Sequence, residues 1–197
     1  MSNGKPIKLT EAKATDICRG GGLSKEALLL QKDGQGALPF LELLIANEKF
    51  PDAARFLASA LPKREAIWWA CKCVRQASTE KMPAQQEAAV QSAEKWAASP
   101  SEESRRAAWT AAEAADFGTP AGCAALGAFW SEGSLAPPNL TAVPPGETLT
   151  AQAVAGALGL AAVTSEPEKA GEKFRKFFAL GIEIAQKGEP WKASGGR

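Results

Sequence analysis

Residues 61–76 read LPKREAIWWACKCVRQ and gather many of the side chains in this chain that could do chemistry. Two tryptophans stand side by side, a Cys-x-Cys follows, and basic residues punctuate both. A Cys-x-Cys can ligate a metal or cycle a disulfide only if both sulfurs reach one point. On a helix, residues two apart project about 200° from one another. Cys71 and Cys73 therefore cannot share a metal without unwinding it, and zinc knuckles use a second cysteine pair that the chain lacks. Both cysteines are expected as small buried hydrophobes. The tryptophans offer different chemistry. Trp68 has Arg64 four residues before it and Lys72 four residues after, both within reach of its ring on a helix.

The 197-residue chain holds neither histidine nor tyrosine. A Ser-His-Asp triad, a Cys-His pair, an H-E-x-x-H zinc site and a two-histidine iron site are all excluded. Catalysis would fall to carboxylates and lysines, which need a deep pocket holding two carboxylates of divergent acidity. Glu113 with Asp116 is a pair of the right type, but helices offer such pairs without using them. Glu102 and Glu103 with Arg105 and Arg106 read as a solvated helix start, since carboxylates favour a first turn. RGGGLSKE at 19–26 lacks the spacing of a phosphate-binding loop and follows no strand, so it reads as a helix stop and a link.

Composition narrows the classes further. Net charge is +1, which gives no footprint for nucleic acid. The four cysteines, Cys18, Cys71, Cys73 and Cys123, are too sparse for a disulfide framework. The start MSNGKPIKLTEAK has no apolar core of a secretory signal. The longest apolar run, AVAGALGLAAV at 153–163, is far short of the ~20 residues that span a bilayer. A cytoplasmic protein with no membrane insertion, no cofactor and no metal is the expectation.

The elements that must position these residues are helical. Apolar spacing of the helical period runs over 39–50, 52–61, 62–78, 83–98, 101–116, 119–130, 147–163 and 167–187. Short helices are expected over 11–18, capped by Thr10, and over 25–31, capped by Ser24. Ser99-Pro100-Ser101-Glu102 and Ser165-Glu166-Pro167-Glu168 have capping-box spacing, and Thr119-Pro120 is a cap followed by a helix-opening proline. Pro51, Pro62 and Pro83 open helices in the same way. No segment alternates with period two, so no strand is expected. The predicted fold is all-α, a single compact irregular bundle of about eight to ten helices without a sheet, over residues 1–187. A Pro-rich loop interrupts it at 131–148, and residues 188–197 are expected to be a disordered tail.

On the 62–76 helix, Ile67, Ala70, Cys71 and Val74 share one stripe, and Ala66, Trp69 and Cys73 lie beside it. Only a narrow strip near Glu65 and Gln76 is fully polar, so this is the expected central helix. In 168–188 the expected buried stripe is Phe174, Phe178, Gly181, Ile182 and Ala185.

The 61–76 block resembles the signature of a family of small bacterial helical proteins of unassigned function, Leu-Pro-x-Arg-Glu-Ala-x-Trp-Trp-Ala-Cys. It is matched here by Leu61, Pro62, Arg64, Glu65, Ala66, Trp68, Trp69, Ala70 and Cys71. Such proteins accompany type VI secretion components, beside effector-loading adaptors and spike-tip proteins. The resemblance implies an adaptor or chaperone-like accessory whose partner is a secretion-system adaptor, spike or effector protein, and it carries over no catalytic residue. A carboxylate- and lysine-based enzyme and an immunity protein are the alternatives. Two partner-binding surfaces are expected. One is Trp68 as an exposed anchor rimmed by Arg64, Lys72 and Arg75, the alternative being a ring packed in the bundle under those basic stems; the other is the loop around Leu135, Pro137, Pro138 and Leu140, the alternative being a plain crossover between helices.

Overall fold

The computed structural model describes residues 9–20, 22–188 and 190–193. The described residues form α-helices α1 (Ala14–Cys18), α2 (Lys25–Leu28), α3 (Ala37–Ala46), α4 (Phe50–Ala60), α5 (Lys63–Ala77), α6 (Ala84–Ala98), α7 (Glu102–Ala114), α8 (Pro120–Phe129), α9 (Leu149–Thr164), α10 (Ala170–Lys187) and α11 (Pro190–Ala193). They include no strand beyond one isolated bridge between Lys13 and Gly36. The fold is the expected all-α bundle.

The helix starts follow their capping chemistry, with shifts of position. Thr119 accepts from the Gly122 N–H and Pro120 opens α8. Ser24 caps α2 through the Ala27 N–H, and its own N–H and hydroxyl donate to Asp52, which ties α2 to α4. At α7 the cap is Ser101, and the box closes through the Ser104 hydroxyl instead of a glutamate, with Pro100 lying before the cap. Pro62 and Pro83 occupy the cap position itself, extended at ψ 140° and 145°, so they precede the helix they were expected to begin. Helix α1 starts at Ala14 behind Lys13, beyond the reach of Thr10.

Two helices, α3 and α7, stop on a left-handed residue that is not glycine, and a third such residue opens the 3₁₀ turn after α9. Glu48, Asp116 and Glu166 have φ of 55°, 68° and 48°. After α3 the Lys49 N–H reaches the Leu44 carbonyl and the Glu48 N–H the Ile45 carbonyl, the paired bonds of a Schellman ending. Ser165 therefore terminates α9 and does not cap the next helix; a 3₁₀ turn at Pro167–Lys169 leads into α10. The tail expected to be disordered forms α11 over Pro190–Ala193, because Trp191 finds ring partners on α5. Residues 189 and 194–197 lie outside the described residues.

Helix α5 is central: it packs against α4, α6, α8, α9, α10 and α11. The residues expected on its stripes, Ile67, Ala70, Cys71 and Val74 with Ala66, Trp69 and Cys73, are all buried. Small residues let its neighbours come close. A Cβ on Gly127 of α8 would sit 3.5 Å from the Ala153 Cβ of α9. Bulk is concentrated at Trp69, fully buried, whose indole Nε1 donates to the Phe177 carbonyl of α10 at 2.7 Å. Gly181 sits one turn beyond that carbonyl. A Cβ there would come within 2.7 Å of both the Trp69 ring and Leu57 Cδ2, so only glycine leaves the ring its seat. The buried face of α10 is Phe174, Phe177, Phe178, Gly181 and Ile184, while Ile182 and Ala185 are half-buried. It is rotated from the predicted stripe toward Trp69.

Candidate functional site

The four residues of the first predicted surface all lie on α5, but they do not form an exposed anchor. Trp68 is only 7% exposed. Lys72 Nζ lies 4.7 Å above its ring and Trp191 of α11 packs edge-on at 6.3 Å. The cations expected as a rim are committed to structural partners. Arg64 donates through Nε and Nη2 to the Ala97 and Ala98 carbonyls, closing the C-terminal end of α6. Arg75 forks onto both Glu87 and Glu94, whose hydrogen bonds push its already high pKa further up. Glu87 is lowered in turn, first by Arg75. Lys72 also lies 3.9 Å from Glu94. Lys63 donates to the Ser131 carbonyl at the start of the Pro-rich loop. The correction has a simple physical cause. Cations at i−4 and i+4 can cover a tryptophan as readily as frame it, and α6 offers carbonyls and carboxylates that hold them down.

The second surface is ordered and open. Arg105, expected in a solvated helix start, is fully buried. It donates to the Phe129 carbonyl at 2.7 Å and the Ser134 carbonyl at 2.8 Å, pairs with Glu102 through Nε and Nη2, and lies 4.7 Å over the Phe129 ring. Arg106 reaches the Ala136 carbonyl at 2.9 Å and shares Glu102. The two guanidinium groups hold the Glu102 carboxyl well below its ordinary 4.5, at about 2, with Arg105 the larger cause. Gly133 lets the loop fold over this cluster: its φ is 71° and a Cβ would fall 2.9 Å from Arg105 Nε. Beyond it the loop bonds to itself. The Leu135 N–H donates to the Val143 carbonyl, the Val143 N–H to Ser134 Oγ, and the Leu140 N–H to the Pro137 carbonyl. Thr150 ties the far end back through the Trp130 carbonyl.

On this pinned backbone Pro137, Pro138, Leu140 and Val143 are exposed, and Leu135 is half-buried. Beside it Trp109 packs at a tilt against Phe117 at 5.2 Å and Phe129 at 4.8 Å, yet keeps 36% of its surface open, and Phe117 keeps 38%. Arg106, Trp109, Thr110, Phe129, Leu135 and Pro137 line a depression of about 420 Å³. The sequence reading named the loop residues and missed their aromatic neighbours. A signal for Arg105 existed: it falls in register with Ala108, Ala112 and Ala115, all buried, at i, i+3, i+7 and i+10.

The remaining chemical groups are placed as follows. Cys71 and Cys73 are buried free thiols, and burial pushes both well above their ordinary range, away from thiolate chemistry. Among the described residues, no group of three or more His, Cys, Asp or Glu is placed to hold a metal ion. None of the helices is long and apolar enough to cross a membrane. A depression of about 200 Å³ with a largely apolar floor that includes Ile17, Ala58 and Leu61 also holds Asp16, Lys63, Glu147 and Thr150, but Lys63 and Thr150 are already engaged with the Ser131 and Trp130 carbonyls. The carboxylates with displaced acidity, Glu87, Glu102 and Glu166, are all lowered by cations, opposite to the shift a general acid needs.

Comparison with curated proteins and with solved structures gives no match. One family profile matches residues 40–185, from α3 through most of α10, and so takes in α5, the Arg105 cluster and the Pro-rich loop but stops short of α11. That stretch is most of the bundle, and the chain belongs to the family of unknown function DUF6931.

Proposed function

We propose that the protein is a non-catalytic interaction protein: a cytoplasmic adaptor or chaperone-like accessory of a bacterial secretion apparatus of the type VI kind. The observation that carries the interaction reading is the pairing of exposed apolar side chains with a pinned backbone at 131–148. Folding hides apolar surface, and a loop that merely crosses solvent has no need of a buried arginine at its root. Here Arg105, Arg106 and Lys63 hold the loop's carbonyls while Pro137, Pro138, Leu140 and the open edge of Trp109 stay outside. A surface fixed in advance gives up little conformational entropy on binding, so more of its contact energy appears as affinity. Tryptophan is also enriched among interface anchors. The secretion setting rests on the resemblance of the 61–76 block, and a spike, effector or loading adaptor is the partner it points to.

The test is affinity capture from the native bacterium with the wild-type chain and with Trp109→Ala. Wild type should enrich a secretion component, and Trp109→Ala should weaken that capture roughly 5- to 30-fold, the loss of an anchor worth about 1–2 kcal/mol. Trp109 keeps 36% of its surface open but packs on Phe117 and Phe129, so the melting temperature should fall and capture is compared at a temperature where both forms are folded. Equal capture by both forms removes the aromatic face from the interface. Enrichment of a partner unrelated to secretion removes the apparatus.

A further inference from the structure

The Trp68 side of α5 carries a second inference, independent of the Trp109 face. A groove of about 460 Å³ runs between α5 and α10, lined by Trp68, Lys72, Leu180, Glu183, Ile184, Lys187 and Pro190. Its walls are mostly apolar. Next to Pro190, Trp191 packs edge-on to Trp68, with the Arg64 guanidinium 4.1 Å over its own ring. We propose that Pro190–Trp191 is a displaceable strap on a docking groove, and that the groove takes a partner segment presenting an aromatic ring beside an acidic residue.

Three observations support this. First, the seat does not depend on the ring that fills it. Arg64 is fixed by the Ala97 and Ala98 carbonyls, and Trp68 by the helices around α5. When Trp191 leaves, the guanidinium plane and the indole remain, a slot between a cation and a ring that suits another aromatic. Second, the strap is held lightly. Helix α11 has four residues, too few for an independent helix, and Trp191 is half-buried. It follows Gly188, whose φ of 65° ends α10, so the strap can swing without unwinding that helix. Elements with few buried contacts open at low free energy. Third, the charge is complementary. Arg64 and Lys72 face the seat, and the strap's own sequence places Glu189 two positions before the ring. The strap thus displays the chemistry of the ligand it would yield to. The seat also lies within the family-matched residues 40–185, whereas the strap lies beyond them.

The probe is a peptide of residues 188–195, Gly-Glu-Pro-Trp-Lys-Ala-Ser-Gly with blocked ends, titrated into the full chain while the indole N–H resonances are followed by NMR. The Trp191→Ala variant should bind it saturably with a shift at Trp68. Wild type should bind at least ~10-fold more weakly, because its own strap competes at an effective concentration near the millimolar range. A peptide with alanine in place of tryptophan should not bind. In wild type, excess peptide should move the Trp191 indole toward the position of free tryptophan while Trp68 stays perturbed, a readout that needs no variant. No binding to Trp191→Ala overturns the groove. Equal binding to both chains, or displacement that leaves the Trp191 resonance in place, overturns the strap. Neither outcome touches the Trp109 face, which is tested by capture.

Discussion

Replacing Trp69 with alanine is expected to cost about 3–5 kcal/mol of folding stability, the range for emptying a fully buried large aromatic site. The ring is 0% exposed and lies where α5 meets α4 and α10. Its Nε1 proton goes to the Phe177 carbonyl, and Gly181 and Leu57 touch the same ring. Collapse around the hole is limited, because Phe178 beside it is already engaged with Phe50 and Phe174. Urea unfolding checks it: the midpoint should fall with little change in slope. A loss under ~1 kcal/mol would mean that the ring's surroundings can refill, against the close packing described for α5 and α10.

Arg105→Ala is the second large effect. The substitution leaves the Phe129 carbonyl without its donor, leaves the Ser134 carbonyl only a long 3.4 Å bond from Arg106, opens a hole under Phe129 and leaves Glu102 paired with Arg106 alone. One orphaned buried acceptor, a second left with a weakened bond, and the cavity together should cost on the order of 3–5 kcal/mol. Arg105→Lys keeps the charge but not the planar fork, so most of that loss should remain. Acidity offers the same test without a mutation. Glu102 has its folded-state pKa depressed from 4.5 to about 2. Its contribution is complete only well above pH 4.5, declines below it and is lost as pH falls through about 2, beneath which the carboxyl is protonated in both states. Denaturant midpoints across that window, in wild type and in Arg105→Ala, check it: wild type should lose more on acidification. Parallel profiles would show that the carboxylate is not coupled to the loop's root.

How much of this was legible in the sequence depended on which residue carried the signal. Helix starts were readable from Thr119-Pro120 and Ser24, because a short polar side chain before an apolar period has few other uses. Helix stops were harder. Glu48, Asp116 and Glu166 take the left-handed turn usually left to glycine, and nothing local marks a glutamate for that role. The interior of α5 was readable because its apolar residues ring the axis. For Trp68 the spacing left two states open, an exposed anchor or a ring covered by basic stems; Lys72 does lie over the ring, while its other cover, Trp191, is distant in sequence and placed by tertiary packing. Arg105 and Arg106 look alike in sequence. Only the alanine register through 108, 112 and 115 separates the buried one from its half-exposed neighbour. Trp109 escaped notice because a lone aromatic among alanines reads as core, and its open edge exists only once α8 and the loop are in place.

The central claim is that residues 131–148 form a pinned docking face, and amide hydrogen exchange on the free wild-type chain tests it most directly. The Leu135 and Val143 amides, bonded to the Val143 carbonyl and the Ser134 hydroxyl, should exchange far more slowly than unstructured chain, and more slowly than the neighbouring Thr141 and Ala142. Exchange of Leu135 and Val143 at the unprotected rate would contradict the account, leaving the exposed prolines and leucine on a loop with no fixed shape to offer a partner.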